Sequence, residues 1–460
     1  MTFFRSESGA FAPLFAIAIF AILASIGVAV DYSVASSTKA TSQGVADSMA
    51  LAAAKSISED QNKKNAKKVG RDFFKANLLE AADNKSLSPK IEIKNNNKHY
   101  TVTATITGEV KTAFMGLFGI KSLPIEVTAE TNVDLLDTEI VLVVDVSFSM
   151  AQRNRLTNVI AAINQFIAQV YPDGKDNPSR RVSIIPFGES VRLGMSYNTW
   201  LENAYRTPLG TVKRTASFNP QPALDAYYNK IGMNAPTLKR NKPITPPYPF
   251  VGCFQHEPNN QIRDGRTGSV SPGNYLPYVQ QTFSGSFPYC PGAESEALLF
   301  QSNPKVLTKR VNALTLSFGT STDIGLLWGY RAILPDWRGK FKDSSSHPLS
   351  YSKDSRKYLI LLTDGMTNRF STKGDGQKGS GTGRDPAGSN FESLCKTISN
   401  NKNINLFSIG YDLIGKDKGM EVLLKKCVGG EGSFQNASTS NITSVLNQVA
   451  SKINHLYLSH

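Results

Sequence analysis

The sequence has few of the residues that build zinc sites, and none is spaced as such sites require. The 460 residues include four cysteines, with no CxxC pair, and five scattered histidines. Charged residues make up only 19% of the chain and hydrophobic residues 40%, which fits a globular protein rather than a disordered one. A chain of this length has room for two or three domains.

The sequence also lacks the motifs of common hydrolases and phosphotransferases. It contains no Gly-x-Ser-x-Gly elbow, no histidine placed to activate a serine and no phosphate-cradling loop. A phosphotransferase with a nucleophilic aspartate would carry a second carboxylate two residues later, whereas Ser147 holds that position after Asp145. We therefore predict that the protein is not an enzyme.

Acidic residues are in deficit, so the net charge is +14 and the pI about 9.4. This charge predicts contact with anionic lipid, an envelope polymer or an acidic protein. No nucleic-acid-binding motif accompanies it, which argues against a nucleic-acid partner. Six of the basic residues cluster between Lys63 and Lys75 on a predicted helix. They form either a solvated helix face or a contact with the membrane or envelope.

An uncharged run of 21 residues, Ala10–Val30, lies near the N-terminus. At about 1.5 Å per residue, a helix of this length spans the roughly 30 Å hydrocarbon core of a bilayer. We predict a cytoplasmic tail at residues 1–9, a transmembrane helix at 10–30 and a helical stalk at 31–57, with the remainder outside the cytoplasm. A cleavable signal peptide is the alternative.

An even, widely spaced set of cysteines in an exported chain indicates two disulfides. Sequence order favours Cys253–Cys290 and Cys395–Cys427, which is one of three possible pairings. Four ordinary buried thiols are the alternative.

Residues 58–135 combine a helical pattern with alternating strand patterns around Ile91–Ile93 and Tyr100–Ile106, and a third run at Ile125–Val133. They predict a small α+β module.

Continuous apolar runs, typical of strands buried on both faces, alternate with helical patterns after residue 136. The strand-like runs are Glu139–Val144, Val182–Phe187, Tyr358–Leu362 and Ile404–Ile409. The helical patterns are Leu156–Val170, Ile324–Ile333, Phe391–Ile398 and Asn441–Ile453. This order predicts an α/β, doubly wound (Rossmann-like) domain at 136–460. A stretch rich in Pro, Asn and Ser at about 191–304 is too long for a loop and is predicted to be an insertion.

Polar side chains follow two of these predicted strands. The first strand ends in Asp145, followed by Ser147 and Ser149, and the third runs into Asp364. Ligands bind at the carboxyl ends of strands in open α/β sheets, and hard divalent cations prefer oxygen ligands. Two carboxylates on adjacent strands would repel each other, and a bound cation would relieve that repulsion.

A third polar loop, at 318–325, opens a helix and carries Thr320 and Thr322. With the two strand ends, it resembles the metal-ion-dependent adhesion site of von Willebrand factor A (VWA) domains. In that family the threonine lies five residues before a helix glycine, which favours Thr320, five before Gly325. The resemblance implies a VWA fold, a divalent cation (Mg²⁺, or else Mn²⁺ or Ca²⁺) and an acidic partner residue. It implies Ser147, Ser149 and Thr320 as direct ligands, and Asp145 and Asp364 as ligands directly or through water.

Motifs at both ends of the chain resemble the TadG family of the Tad (Flp-type) pilus assembly system. They are Ser8–Leu14, Val30–Tyr32, Gln43–Ala54, Gly325–Gly329 and Ile453–Ser459. The resemblance implies a single-pass protein of the bacterial cell envelope. Its role would lie in pilus assembly or surface attachment, with a pilus or envelope component as partner. A surface adhesin unrelated to pili is the alternative. A third hypothesis makes the basic surface the binding feature, so that binding would depend on salt and not on metal.

Overall fold

The computed structural model describes residues 11–60, 62–78, 85–96, 99–134, 136–231, 233–246, 248, 250–254, 275–278, 282–283, 287–365, 386–413, 418–430 and 432–455. The chain divides into two units: an N-terminal module, residues 1–135 with 457–460, and a sheet domain, residues 136–456. The predicted cytoplasmic tail and part of the predicted insertion, mainly 255–274, lie outside the described residues.

A single helix, α1, runs without interruption from Phe11 to Asp60. By length and composition it is able to cross a membrane. Its large apolar side chains between Phe15 and Val34 face outward, as lipid-facing residues would. The predicted transmembrane helix and stalk are therefore consecutive parts of one helix.

The second half of α1 is a core element of the N-terminal module. Between Val45 and Ile57 its buried side chains pack with a three-stranded antiparallel sheet. The module's other elements are α2 (Lys63–Leu78), β1 (Lys85–Asn96), β2 (His99–Lys111) and β3 (Ser122–Asp134). Alternate residues of β2 are buried, as expected for a strand with one face on the core. The α+β character predicted for this part of the chain is confirmed.

The sheet domain is built on a six-stranded sheet in the order β11-β10-β9-β4-β5-β8. These strands are β4 (Asp137–Asp145), β5 (Arg180–Phe187), β8 (Leu298–Gln301), β9 (Ser355–Thr363), β10 (Asn405–Tyr411) and β11 (Phe434–Ala437). All adjacent pairs are parallel except β5 and β8. Two short strands, β6 (Thr282–Phe283) and β7 (Phe287–Pro288), pair separately. The prediction of a doubly wound, mostly parallel α/β sheet is confirmed.

Helices cover both faces of this sheet. They are α3 (Arg155–Val170), α4 (Gln221–Lys230), α5 (Pro304–Asn312), α6 (Thr322–Arg331), α7 (Pro386–Ser399), α8 (Lys418–Lys426) and α9 (Ile442–His455). Side chains of β4 alternate between two cores: Val141 and Val143 pack with α6, α7 and α8, whereas Ile140 and Leu142 pack with α3, α5 and α9. This double burial explains why β4 is a continuous apolar run rather than an alternating one.

The stretch predicted as an insertion contributes to the sheet and to one of the cores. It includes α4 and the antiparallel edge strand β8. Its Trp200 stacks with Phe254 and Tyr275 and with Trp328 of α6, at ring-centroid distances of 5.9, 5.9 and 6.4 Å. Aromatic burial of this kind fixes the insertion to the sheet domain.

Both predicted disulfides are present. Cys253 is bonded to Cys290 within the insertion, and Cys395 of α7 is bonded to Cys427 at the end of α8. The described residues contain no free cysteine.

Candidate metal centre

Two carboxylates lie together at the carboxyl edge of the sheet. Strand β4 ends at Asp145, and the neighbouring parallel strand β9 ends one residue before Asp364. The register pairs Val144 with Leu362, so the two strands leave the sheet side by side. Asp145 is 0% exposed and Asp364 is 8% exposed. The topology therefore places two acidic groups in one desolvated position.

The loop after β4 turns sharply beside Asp145. The backbone N–H of Ser147 donates to Asp145 Oδ1 at 2.8 Å, and a short 3₁₀ segment, Phe148–Asn154, follows. This turn brings Ser147 Oγ within 2.9 Å of Ser149 Oγ. The spacing of two residues thus directs both hydroxyls to the same side of the loop as the carboxylate.

A hydrogen bond links this loop to the other strand. Ser149 Oγ donates to Asp364 Oδ1 at 2.6 Å. Four of the five predicted ligands, Asp145, Ser147, Ser149 and Asp364, are therefore joined by one chain of hydrogen bonds.

Thr320, the fifth predicted ligand, lies on an adjacent loop and is 3% exposed. This loop is held against the ends of β4 and β5, because Ser317 N donates to Val146 O at 2.7 Å and Ser321 N donates to Gly188 O at 2.8 Å. Helix α6 begins directly afterwards, at Thr322. The loop expected to complete the site therefore borders the same edge of the sheet.

Sequence reasoning missed three residues that act on the carboxylates. Thr363 Oγ1 donates to Asp145 Oδ2 at 2.7 Å. Arg155 Nη1 donates to Asp364 Oδ2 at 2.6 Å, and Arg155 Nη2 lies 3.4 Å from Asp412 Oδ2. Asp412 follows strand β10, so the rule that identified Asp364, a carboxylate just after an apolar strand, could also have identified Asp412.

The two carboxylates differ in what neutralises them. Arg155, with a side chain only 7% exposed, forms an ion pair with Asp364. The hydrogen bonds to Asp145 come from neutral donors, Ser147 and Thr363. Of these two acids, Asp145 is the one whose charge is less compensated by the residues that the structure describes.

Burial raises the pKa of Asp145 to about 7, and repulsion from Asp364 adds to the rise. Hydrogen bonds from Ser147 and Thr363 lower this pKa but do not offset the desolvation. Burial also raises the pKa of Asp364, against the opposing effects of Ser149 and Arg155. An additional cation beside these groups would favour their charged forms.

The hydroxyl and carboxylate oxygen atoms lie close enough together to face one small cation. Neighbouring ligands in an octahedral shell with bonds of about 2.1 Å lie about 3.0 Å apart. The Ser147–Ser149 and Ser149–Asp364 oxygen separations are 2.9 and 2.6 Å. Within the described ranges, no three His, Cys, Asp or Glu side chains cluster as a metal site. A cation here would therefore need hydroxyl ligands beside the carboxylates.

A comparison with protein families matches the N-terminal segment of the chain. Residues 9–56 match the family described as putative Flp pilus-assembly TadE/G-like. This segment covers most of α1, including two of the motifs on which the TadG resemblance rests. The resemblance of the N-terminal segment is confirmed. No curated protein matches the chain.

Solved structures with detectable similarity include surface proteins with low sequence identity. The pilus adhesin SpaC from Lactobacillus rhamnosus GG is 16% identical with a TM-score of 0.35, over 82% of this chain and 35% of SpaC. The vWF domain of the type V pili tip protein Mfa5 from Porphyromonas gingivalis is 13% identical with a TM-score of 0.36, over 71% of this chain and 97% of that domain.

A third solved structure is proximal thread matrix protein 1 from the mussel byssus, with a zinc-occupied MIDAS motif. It is 11% identical with a TM-score of 0.31, over 69% of this chain and 45% of that protein. The chain thus spans about a third of SpaC and under half of the mussel protein. Because these TM-scores are low, the fold assignment rests on strand order and register.

Proposed function

We propose that the protein is a membrane-anchored component of Tad/Flp-type pilus assembly or surface attachment that binds a partner through a divalent cation. The cation would be held at the carboxyl edge of the sheet domain. The partner would be a pilus or envelope protein that offers an acidic side chain as a further ligand. The TadE/G-like N-terminal segment supports the pilus context.

One observation carries the metal-binding part of this proposal. Asp145 is fully buried, lies beside a second carboxylate, and is hydrogen-bonded by neutral groups. Proteins seldom bury a carboxylate without a counter-charge, because its desolvation costs several kcal/mol. A divalent cation would supply that counter-charge and an open position for an anionic ligand.

The proposed ligands divide by chemistry. Ser147, Ser149 and Thr320 would bind the ion directly through their hydroxyls, and Asp145 and Asp364 would bind it directly or through water. Mg²⁺ is the proposed ion, with Mn²⁺ and Ca²⁺ as alternatives, since all are hard cations with oxygen ligands. Arg155 neutralises only part of the acidic charge, so the site would remain attractive to a cation.

The location of the protein follows from two features. Helix α1 has the length and composition of a membrane anchor, and both disulfides fit an extracytoplasmic sheet domain. We propose a bacterial cell-envelope location with a single membrane pass.

Calorimetric titration of Mg²⁺ and of Mn²⁺ into the detergent-solubilised full-length chain tests the metal site. We expect saturable binding by the wild type and none by Asp145→Ala or Asp364→Ala. Asp176→Asn is a matched control, since Asp176 is exposed on the loop before β5, at the opposite edge of the sheet. Equal binding by the wild type and both alanine variants would refute the site.

Genetic complementation separates the two biological roles. If the protein serves pilus assembly, cells carrying Asp145→Asn should lose surface pili in electron micrographs. If it is an adhesin, these cells should keep their pili, where present, and lose Mg²⁺-dependent attachment to surfaces. Attachment that is weakened by salt but unaffected by chelation would instead identify the basic surface as the binding feature.

A further inference from the structure

The connection between β2 and β3 in the N-terminal module carries a set of exposed apolar side chains. We call it the apolar loop: Thr112–Lys121, including a 3₁₀ turn at Met115–Phe118. Its exposed side chains and their exposed fractions are Phe114 (45%), Leu117 (82%), Phe118 (51%) and Ile120 (45%). The loop has no charged residue between Lys111 and Lys121. Four large apolar side chains on one water-exposed loop are costly unless another surface covers them.

This loop lies along the apolar half of α1. The Asp31 carboxylate of α1 accepts hydrogen bonds from the backbone N–H groups of Ala113, Phe114 and Met115 at 2.9, 2.8 and 2.6 Å. Near the other end of the contact, the rings of Phe20 and Phe118 are 6.3 Å apart. At about 1.5 Å per residue, the contact extends about 16 Å along the helix.

Gly27 makes this close approach possible. A Cβ atom at this position would lie 2.6 Å from Phe114 Cβ, so any side chain here would push the loop away from the helix. By contrast, a Cβ added at Gly44 of the same helix would meet nothing within 4 Å. Glycine at position 27 therefore allows the loop to pack against the helix.

The backbone of the loop is largely hydrogen-bonded without water. Besides the three bonds to Asp31, the N–H groups of four further residues donate to backbone oxygens: Thr112, Leu117, Gly119 and Ile120. In lipid, backbone polar groups must be paired within the protein, and non-helical backbone at membrane depth is tolerated only where protein covers it or where it lines a water-filled cavity. Most N–H groups of this loop are paired within the protein, and α1 covers one side of the loop.

We propose that the apolar loop inserts into the bilayer beside α1 and forms a second membrane contact of the N-terminal module. Lipid is the occupant that fits, because the loop continues the exposed apolar surface of a helix able to span a membrane. Lys111, just before the loop, and Lys121, its last residue, lie where their ammonium groups can reach anionic lipid phosphates. The module is therefore seated directly on the membrane, with Asp31 capping the loop at its polar end.

Fluorescence quenching in vesicles tests this insertion. The full-length protein carrying Leu117→Cys is labelled with a polarity-sensitive maleimide and placed in vesicles of phosphatidylcholine and phosphatidylglycerol. The two native disulfides leave the introduced thiol as the reactive one among the described residues. Phe73→Cys, at a 42% exposed position on α2, is the control in the same module.

We expect nitroxide groups on the lipid acyl chains to quench the label at position 117 several-fold more than the label at position 73. Equal quenching at the two positions would overturn the proposal. A second result would also overturn it: a blue shift of the label's emission at position 117 that appears only at high protein density and without nitroxide quenching. That result would mean that the apolar loop contacts another protein molecule instead of lipid.

A second substitution tests the seating of the loop on α1. Gly27→Leu should reduce quenching at position 117, because the leucine displaces the loop while keeping the helix apolar. Gly44→Leu should leave quenching unchanged. Undiminished quenching in the Gly27→Leu protein would contradict the proposed arrangement.

Discussion

Replacing Asp145 by asparagine should stabilise the metal-free sheet domain at high pH, although it alters the centre of the candidate site. The substitution keeps the shape of the side chain and removes its charge. The amide oxygen can still accept from Ser147 N, and the amide nitrogen can donate to Thr363 Oγ1. Thr363 Oγ1 already lies 3.0 Å from Gly365 O, so its own proton has an alternative acceptor. Asparagine should therefore fit without an unpaired polar group.

The magnitude follows from the pKa of Asp145, which rises from 3.8 to about 7 on folding. Because the folded state binds this proton more tightly than the unfolded chain does, ionisation opposes folding. The free energy of unfolding of the wild type should therefore fall as pH rises from about 4 to about 7, and the full cost should be present above pH 7. Three pH units correspond to about 4 kcal/mol, which is an upper limit for the gain from Asp145→Asn at pH 8.

Denaturant unfolding followed by tryptophan fluorescence measures this gain in the full-length protein. Trp200, Trp328 and Trp337 are the three tryptophans of the chain, and all lie buried in the sheet domain. We expect Asp145→Asn to exceed the wild type by about 2–4 kcal/mol at pH 8 with EDTA, and to differ little at pH 4. Asp176→Asn should match the wild type at both pH values.

Magnesium should reduce or remove the stability difference between the two proteins. At a concentration 100 times its dissociation constant, an ion that binds only the folded state adds about 2.7 kcal/mol. We expect this gain for the wild type and not for Asp145→Asn. The reasoning would be falsified if the asparagine variant were less stable than the wild type at pH 8 in EDTA, since charge burial would then not be the dominant effect.

Three other substitutions in the sheet domain have expected effects on the same unfolding assay. Arg155→Met should lower the free energy of unfolding by about 3 kcal/mol in EDTA, because it leaves the buried Asp364 carboxylate without its counter-ion. The loss should be smaller with Mg²⁺, and an equal loss in both conditions would count against a site in which the cation and Arg155 both neutralise Asp364. Replacing Cys395 and Cys427 by serine removes a link across 32 residues and should cost about 4 kcal/mol; a loss below 1 kcal/mol would contradict the chain-entropy argument. Gly329→Ala should cost about 1–3 kcal/mol, because its Cβ would lie 2.3 Å from Val143 Cγ2; no loss would mean that α6 shifts freely over the sheet.

Much of the sheet was predictable because its strands are buried on both faces. The apolar runs that end at Asp145 and Asp364 predicted two adjacent strand ends, and the polar residues that follow them predicted the candidate site. The edge strands β8 and β11 have only four residues each, so they lack a distinctive pattern. Short edge strands are fixed by pairing with neighbours that a local pattern does not reveal.

The residues missed at the site share one property: their roles depend on long-range contacts. Arg155 reaches Asp364 across 209 positions, and nothing in its local helix pattern distinguishes it from a solvated arginine. The apolar loop was missed for the same reason, since Asp31 and Met115 are 84 positions apart. Periodicity identifies which face of an element is buried, but not which distant group it meets.

The continuity of α1 has a mechanical consequence. Its 50 residues form a rod about 75 Å long in which the apolar half and the core of the N-terminal module are the same helix. A pull on the module would load this helix along its axis, and no loop lies between the two halves to absorb the strain. Separating the antiparallel sheet from this helix would require the buried side chains between Val45 and Ile57 to leave the shared core together. Because the helix is continuous, tilting of its membrane segment would also rotate the module.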